Sequence, residues 1–233
     1  MTAGEIHSAA LSEALATHGL ILRGGFHPQA SEKEFEGVET VLLVGNAGGT
    51  MWGAFAPHFD GAEHPLNRWT ERVIEPIAAR FSARAVYPFG EPRRPFQQWA
   101  MRAETLYPSP IGLLIHPQYG LWHAWRAALL FVARMPLPPP KPAQNPCEVC
   151  AGKPCLSACP VSAFGVGGFD VARCAGHLAA AEGERADCHD VGCHARNVCP
   201  VGVEWRYPEA QVRFHIRAFA RSVSGANATT LKD

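Results

Sequence analysis

Cysteine is missing from the first 146 residues of this 233-residue chain, and from everything after Cys199. An excess of either charge is missing too, since 21 basic and 21 acidic side chains cancel to a formal net charge of +0. A general nucleic-acid or membrane-surface binder carries a basic surplus, so neither partner is expected. No basic stretch leading into an apolar one follows Met1, so no signal peptide is expected. No apolar run reaches the roughly 18 residues of a membrane span. Internal repeats are absent, and the one low-complexity piece is Pro136-Leu-Pro-Pro-Pro140-Lys-Pro142, which has the composition of a semi-rigid polyproline linker. The length suffices for a real core, as one large domain or two small ones.

What is there is concentrated. All eight cysteines lie at 147, 150, 155, 159, 174, 188, 193 and 199, and two precede proline, as Cys159-Pro160 and Cys199-Pro200. A C-x2-C opening, a C-x3-C-P close and a second cysteine group that also ends in C-P resemble the low-potential ferredoxins with two 4Fe-4S clusters. Each such cluster takes four thiolates, and the C-P cysteine of one group ligates the other cluster. Cys147, Cys150 and Cys155 are therefore expected to share a cluster with Cys199, and Cys159 to join Cys174, Cys188 and Cys193. The x4 between Cys150 and Cys155, and the spread of Cys188-x4-Cys193-x5-Cys199, depart from the bacterial pattern. Structural zinc and disulfides stay open as alternatives, although zinc ribbons have no use for two C-P ends. His177, His189 and His194 are expected beside the ligands or at the surface. Free thiols without an export signal point to a reducing, cytoplasmic location.

Read in order, Thr2-x-x-Glu5 has the form of a capping box, leading into an amphipathic helix that Gly19 stops. Leu20 to Leu22 reads as a short strand broken at Gly24-Gly25, and Glu39 to Val44 as an apolar strand. Gly45-Asn-Ala-Gly-Gly49 then leads into a helix from about Thr50 to Phe59. A phosphate loop is one reading of those glycines. However, G-x-G-x-x-G and a Walker lysine are missing, so a tight strand-to-helix turn is the other. A second helix follows from Leu66 to Phe81, with Pro76 inside. After it come a strand from Ala83 to Tyr87, the loop Glu91-Pro-Arg-Arg-Pro95 and a helix from Phe96 to Leu106. The residues Ile111 to Ile115 are expected to turn through His116–Gly120 into a long return strand, Leu121 to Phe131. The whole pattern reads as α+β. A last helix starts at Pro208, with Arg213, Arg217 and Arg221 on one face as a solvated stripe or an anion or partner contact. The segment boundaries expected are a first domain over 1–135, a linker over 136–146, a two-cluster domain over 147–205, a helix over 206–223 and a disordered tail over 224–233.

Ile115-His-Pro-Gln-Tyr-Gly-Leu-Trp122, then Ala124-Trp-Arg126, then Pro138-Pro-Pro-Lys-Pro142, resembles the animal cobalamin-processing chaperones (the cblC-type decyanase and dealkylase). That family has a similar His-Pro-x-x-Gly-x-Trp turn, an arginine on the return strand and a proline-rich exit. Pro92-Arg-Arg-Pro95 is similar to its Arg-Arg-Pro loop, and the likeness covers most of residues 6 to 142. The cysteine half resembles epoxyqueuosine reductases and reductive dehalogenases, which attach a two-cluster module after a cobalamin domain. The order is similar: four cysteines ending in C-P, a lone Arg173-Cys174, then three ending in C-P.

Together the two resemblances imply an α+β, nitroreductase-like cobalamin-type domain followed by a two-cluster 4Fe-4S ferredoxin-like domain. They imply an iron–sulfur redox protein passing electrons to a corrinoid, with a protein as electron donor. His116, Pro117, Gly120, Trp122, Arg126, Arg93 and Arg94 are the corrinoid contacts so implied, with His116 a cobalt ligand or a hydrogen-bonded turn residue. Epoxyqueuosine reduction fits less well, because that family places a catalytic aspartate before the hairpin and this chain has only Glu91 and Glu104 there. A plain electron carrier without corrinoid is the alternative from another class. A flavin also suits the implied fold, but no flavin-specific residue is evident.

Overall fold

The computed structural model describes residues 3–165, 167–180 and 187–229. In chain order the elements are α1 (Ala3–Ala16), β1 (Ile21–Phe26), β2 (Thr40–Ala47), α2 (Thr50–Phe55), α3 (Pro65–Arg80), β3 (Arg84–Val86), α4 (Phe96–Ala103), β4 (Tyr107–Pro108), β5 (Leu114–Ile115), β6 (His123–Phe131), α5 (Pro146–Val149), β7 (Phe164–Gly165), β8 (Gly168–Phe169), α6 (Val171–Ala179), α7 (Cys188–Val191), α8 (His194–Asn197) and α9 (Glu209–Thr229). Thr2 of the capping box lies outside the described residues. The last helix continues to Thr229, past the Ser224 where the sequence placed the start of a tail.

The chain divides into two units, and neither is continuous. One holds Met1–Leu106 with His123–Ala143; the other holds Tyr107–Trp122 with Gln144–Asp233. The division departs from the boundaries expected at the polyproline stretch, because the segment with the His-Pro turn groups with the cysteines.

The first unit is built on one antiparallel sheet of order β1-β2-β6-β3. β2 is buried along its whole length, which accounts for its unbroken apolar run. Two glycines at this end of the sheet, Gly45 of the loop and Gly19 before β1, have packing roles. A Cβ on Gly45 would lie 2.0 Å from the Ala124 carbonyl oxygen, and one on Gly19 would lie 2.2 Å from that of Thr50. Both glycines serve close backbone approach, and Thr50 Oγ1 donates to the Gly19 carbonyl at 2.8 Å. Between Val44 and Gly45 the partner register jumps from Ala127 to Trp125, so Arg126 is the extra residue of a bulge. That bulge interrupts the two-residue alternation of a regular strand, and Ala127 and Ala128 are both buried. β6 pairs with β2 and β3, whereas β5 pairs back on β4. The expected hairpin between Ile111–Ile115 and Leu121–Phe131 does not form; the His116↔Gly120 bridge closes a small turn of its own.

α4 stops at Ala103, short of the expected Leu106, because Glu104 turns into the protein with extended backbone. Its carboxylate accepts from Arg23 Nε at 3.2 Å and Nη2 at 3.0 Å, and from Trp125 Nε1 at 3.0 Å. Arg23, 2% exposed, also meets His123 Nδ1 at 3.1 Å and donates to the Asn46 carbonyl. Burial pushes the Glu104 carboxyl above its usual range, against the opposing pull of Arg23 and the Trp125 hydrogen bond.

Candidate functional site

Short elements position the thiols in the second unit. Asn145 caps α5 by accepting from the Cys147 amide at 3.0 Å. Lys153, in the left-handed region at φ 34°, opens the turn that carries Cys155. Asp170 caps α6 at the Arg173 amide and so sets Cys174 in the first turn. Cys188 begins α7, and Cys193 stands at the start of α8. The four-residue helices reflect the closely spaced cysteines, which leave room for single turns only.

These pieces bring Cys147, Cys150, Cys155 and Cys199 to the wall of one cavity. The remaining wall is mostly apolar, with Pro110, Ile111, Ile115 and Leu121 among its residues. Ile111, Ile115, Leu121, Ala195 and Cys199 form a buried cluster against which Cys147, Cys155 and Cys193 pack. Lys153 also lines the cavity, and its Nζ donates to the Cys147 carbonyl at 2.8 Å.

The electrostatics sort the eight thiols into the same two groups. Burial pushes up the thiols of Cys147, Cys155 and Cys199. The neighbouring thiols that add to this are Cys199, Cys155 and Cys150 for Cys147, Cys199 and Cys150 for Cys155, and Cys150 for Cys199. Burial pushes Cys174 up to about 11, with Cys193, Cys159 and Cys188 adding to it. Cys188 also rises to about 11, through burial, then Cys193, Asp187 and Cys159. Cys193 is raised by burial first and by Cys159. Like charges act over a few ångströms here, so each quartet is a spatial group. The Ala163 amide also donates to Cys159 Sγ at 3.4 Å.

All eight cysteines are free thiols. Among the described residues no three or more His, Cys, Asp or Glu side chains close on a single-ion site. A single zinc ion draws its sulfurs to about 2.3 Å from one point. A cubane has volume of its own and keeps its four sulfurs apart around it. Four thiols at the wall of one apolar space are the donor set that a four-thiolate cluster would take.

The residues expected at a corrinoid are divided between the two units. Arg93, Arg94 and Arg126 belong to the first unit; His116, Pro117, Gly120 and Trp122 belong to the second. Arg126 donates to Thr70 Oγ1 at 3.0–3.1 Å and to Asn67 Oδ1 at 3.0 Å, which ties it to α3. The Arg93 side chain is 92% exposed, with Glu91 at 3.8 Å, and Arg94 is half-buried. His116 Nδ1 accepts from the Gln118 and Tyr119 amides at 3.0 and 3.2 Å, and its ring stacks on Tyr119. It is a turn residue, with that nitrogen unprotonated. Pro117 beside it is half-buried. A Cβ on Gly120 would lie 2.0 Å from the Val201 carbonyl oxygen. Trp122 is 2% exposed, with Arg196 over its face and Tyr207 edge-on, so no open ring face is left for a macrocycle. Here Gly120 and Trp122 are engaged in packing and Arg126 in hydrogen bonds to α3. The sequence also gave no reason to single out Lys153 or Arg196, whose roles depend on contacts made only after folding.

No protein-family model matches the chain, and no curated protein matches it. Solved structures do. Epoxyqueuosine reductase from Streptococcus thermophilus superposes with a TM-score of 0.53 at 14% identity, over 89% of this chain and 68% of that one. The Bacillus subtilis enzyme gives 0.52 at 14% identity, over 88% and 67%. CblC, a B12-trafficking protein of C. elegans, gives 0.52 at 16% identity, over 93% and 94%. At such identities the likeness is one of fold: the chain shares a mixed α/β fold with both kinds of protein. Among the described residues, no helix is long and apolar enough to cross a membrane.

Proposed function

We propose that this protein is an iron–sulfur oxidoreductase that binds a corrinoid and passes electrons from its clusters to the cobalt. In this reading Cys147, Cys150, Cys155 and Cys199 hold one 4Fe-4S cluster, and Cys159, Cys174, Cys188 and Cys193 hold a second. The observation that carries it is the arrival of Cys199 beside Cys147, Cys150 and Cys155 in one apolar cavity, the crossover expected of a C-P cysteine. Bound clusters supply single electrons at low potential. The chain's own groups prepare the place for them. Ile111, Ile115 and Leu121 pack an apolar cluster against Cys147, Cys155 and Cys199. Lys153 sets a cation beside it, and charge at that position favours the more negative, reduced state.

The corrinoid rests on the fold shared with a B12-trafficking protein and on the His-Pro-x-x-Gly-x-Trp turn from His116 to Trp122. It is proposed as the electron acceptor without the contact set that the turn implied. Reduction of epoxyqueuosine, favoured by the fold likeness to the reductases, is the competing enzyme reading.

An anaerobic absorption titration of cluster-reconstituted protein with hydroxocobalamin and cyanocobalamin, followed by a chemical reductant, tests the proposal. The expected outcome is a saturable spectral change, with cobalt reduction or cyanide loss faster than in a Cys199→Ser variant. Two intact clusters by iron and sulfide assay, with no cobalamin bound at micromolar concentration, would refute the corrinoid and favour an electron carrier or epoxyqueuosine reduction.

A further inference from the structure

The chain as a whole is neutral, yet from Cys188 to Thr229 it carries five arginines and three acids. Two of those acids, Asp190 and Glu209, are taken by Arg213. From Ala210 to Thr229 the last helix has no acid. Arg217 and Arg221 are exposed on it, and among the described residues neither meets a carboxylate. Like charges at i, i+4 repel along a helix surface and weaken it, so this row is held without an internal gain.

The row lies beside the second thiol quartet. α7 begins at Cys188, and Arg213 Nε stands 3.5 Å from Asp190 Oδ1 of that helix. A Cβ on Gly192, the neighbour of Cys193, would lie 2.5 Å from Val212 Cγ1 of α9. Exposed hydrocarbon continues the face, since Val191 and Val198 are 37% and 39% exposed. Asn197 links them to a further cation. Its Nδ2 donates to the Val191 carbonyl at 2.8 Å, and its own carbonyl accepts from Arg206 Nη2 at 2.6 Å. Arg206 is exposed, as is Glu204, the acid left outside an ion pair. Three open cations therefore stand against one open acid around two exposed valines.

Apolar residues rimmed by charge of one sign mark a protein contact. A small anion needs donors that converge, whereas Arg217 and Arg221 stand side by side along a helix. A nucleic acid is held by about 6–10 phosphate contacts, more than this face supplies. A cluster ligated by four thiolates is itself rich in negative charge, and a cationic row beside it is what lets an acidic protein approach.

We propose that this face, from Arg206 through Val191 to Arg217 and Arg221, docks an acidic one-electron carrier protein that reduces the second cluster. The carrier loses one electron, the cluster gains it, and no bond forms or breaks. The docking face rests on the iron–sulfur part of the proposed function and requires no corrinoid.

The test uses the full, cluster-reconstituted chain and an acidic plant-type ferredoxin under anaerobic conditions. Rapid mixing with reduced ferredoxin follows the bleaching of the clusters, and calorimetric titration with oxidised ferredoxin reads the contact without electron transfer. Both are expected to weaken with added salt. Arg217→Glu/Arg221→Glu is expected to slow bleaching and weaken binding by at least about tenfold, with iron content unchanged. Arg217→Lys/Arg221→Lys, which keeps the charge, should stay near the parent. Reduced methyl viologen, a small cation that needs no docking face, should reduce the charge-reversed variant at least as fast as the parent. Arg72→Glu/Arg84→Glu makes the same charge change at two exposed arginines of the first unit and should have little effect. The proposal is overturned if the reversal on α9 leaves ferredoxin binding and bleaching unchanged, or if the reversal in the first unit slows them as much. It is also overturned if an RNA stem-loop binds more tightly than ferredoxin and depends on the same arginines. Absence of iron and sulfide from the reconstituted parent would instead fail the iron–sulfur reading, so the two failures are distinguishable.

Discussion

At the scale of single residues, the buried Arg23–Glu104 pair is the most consequential feature of the first unit. Removing one partner of such a pair leaves the other charge buried, so the two depend on each other. Burial raises the Glu104 carboxyl in the folded state, so the folded protein holds that proton more tightly than the unfolded chain. Its contribution to stability is full below the ordinary carboxylate range and falls as pH rises through the raised folded value. Urea unfolding followed upward in pH from the ordinary carboxylate range is expected to carry this downward component. Glu104→Gln should flatten it, and an unchanged slope in that variant would remove Glu104 as the cause. The sequence offered Glu104 only as a misplaced acid, because its partners Arg23 and Trp125 lie 81 and 21 residues away. The cysteines were legible for the opposite reason. Their identity and spacing alone restrict what chemistry they can share, whereas Trp122 and Arg126 took their meaning from contacts across the fold.

At the scale of elements, the turn from His116 to Gly120 shows how backbone proximity sets a sequence requirement. Gly120 has φ 57° and the Val201 carbonyl against it, while Gly112 has φ 77° and nothing within 4 Å of a Cβ. Gly112→Ala should therefore cost only the left-handed backbone penalty, about 1–2 kcal/mol. Gly120→Ala should cost more than about 3 kcal/mol, since a backbone carbonyl must move as well. Chemical denaturation of both variants checks this, and equal costs would show that the turn and the Val201 segment yield freely. β2 was legible as a strand because a continuous apolar run has few other uses. The pairing of β6 was not, because a strand following a turn normally folds back on its neighbour. Here Trp122 is held by Arg196 and Tyr207, and β6 leaves to join β2 and β3.

At the scale of the whole molecule, the two thiol quartets interleave along the chain. If they hold separate clusters, Cys147→Ser and Cys199→Ser should lose the same electron paramagnetic resonance signal and keep about half the iron, while Cys159→Ser and Cys188→Ser lose the other. Loss of the same signal from Cys199→Ser and Cys188→Ser would break the assignment. The α+β character of the chain was legible from its alternating periodicities, but its division was not, because the polyproline stretch suggested one cut where the chain passes between units at three places. Three of the five buried residues in the cluster around Cys199, namely Ile111, Ile115 and Leu121, come from Tyr107–Trp122. During synthesis that segment leaves the ribosome well before any cysteine does. Its apolar side chains must wait for partners still being translated, so the cysteine segment cannot be transplanted by gene fusion as a self-sufficient folding unit unless Tyr107–Trp122 travels with it.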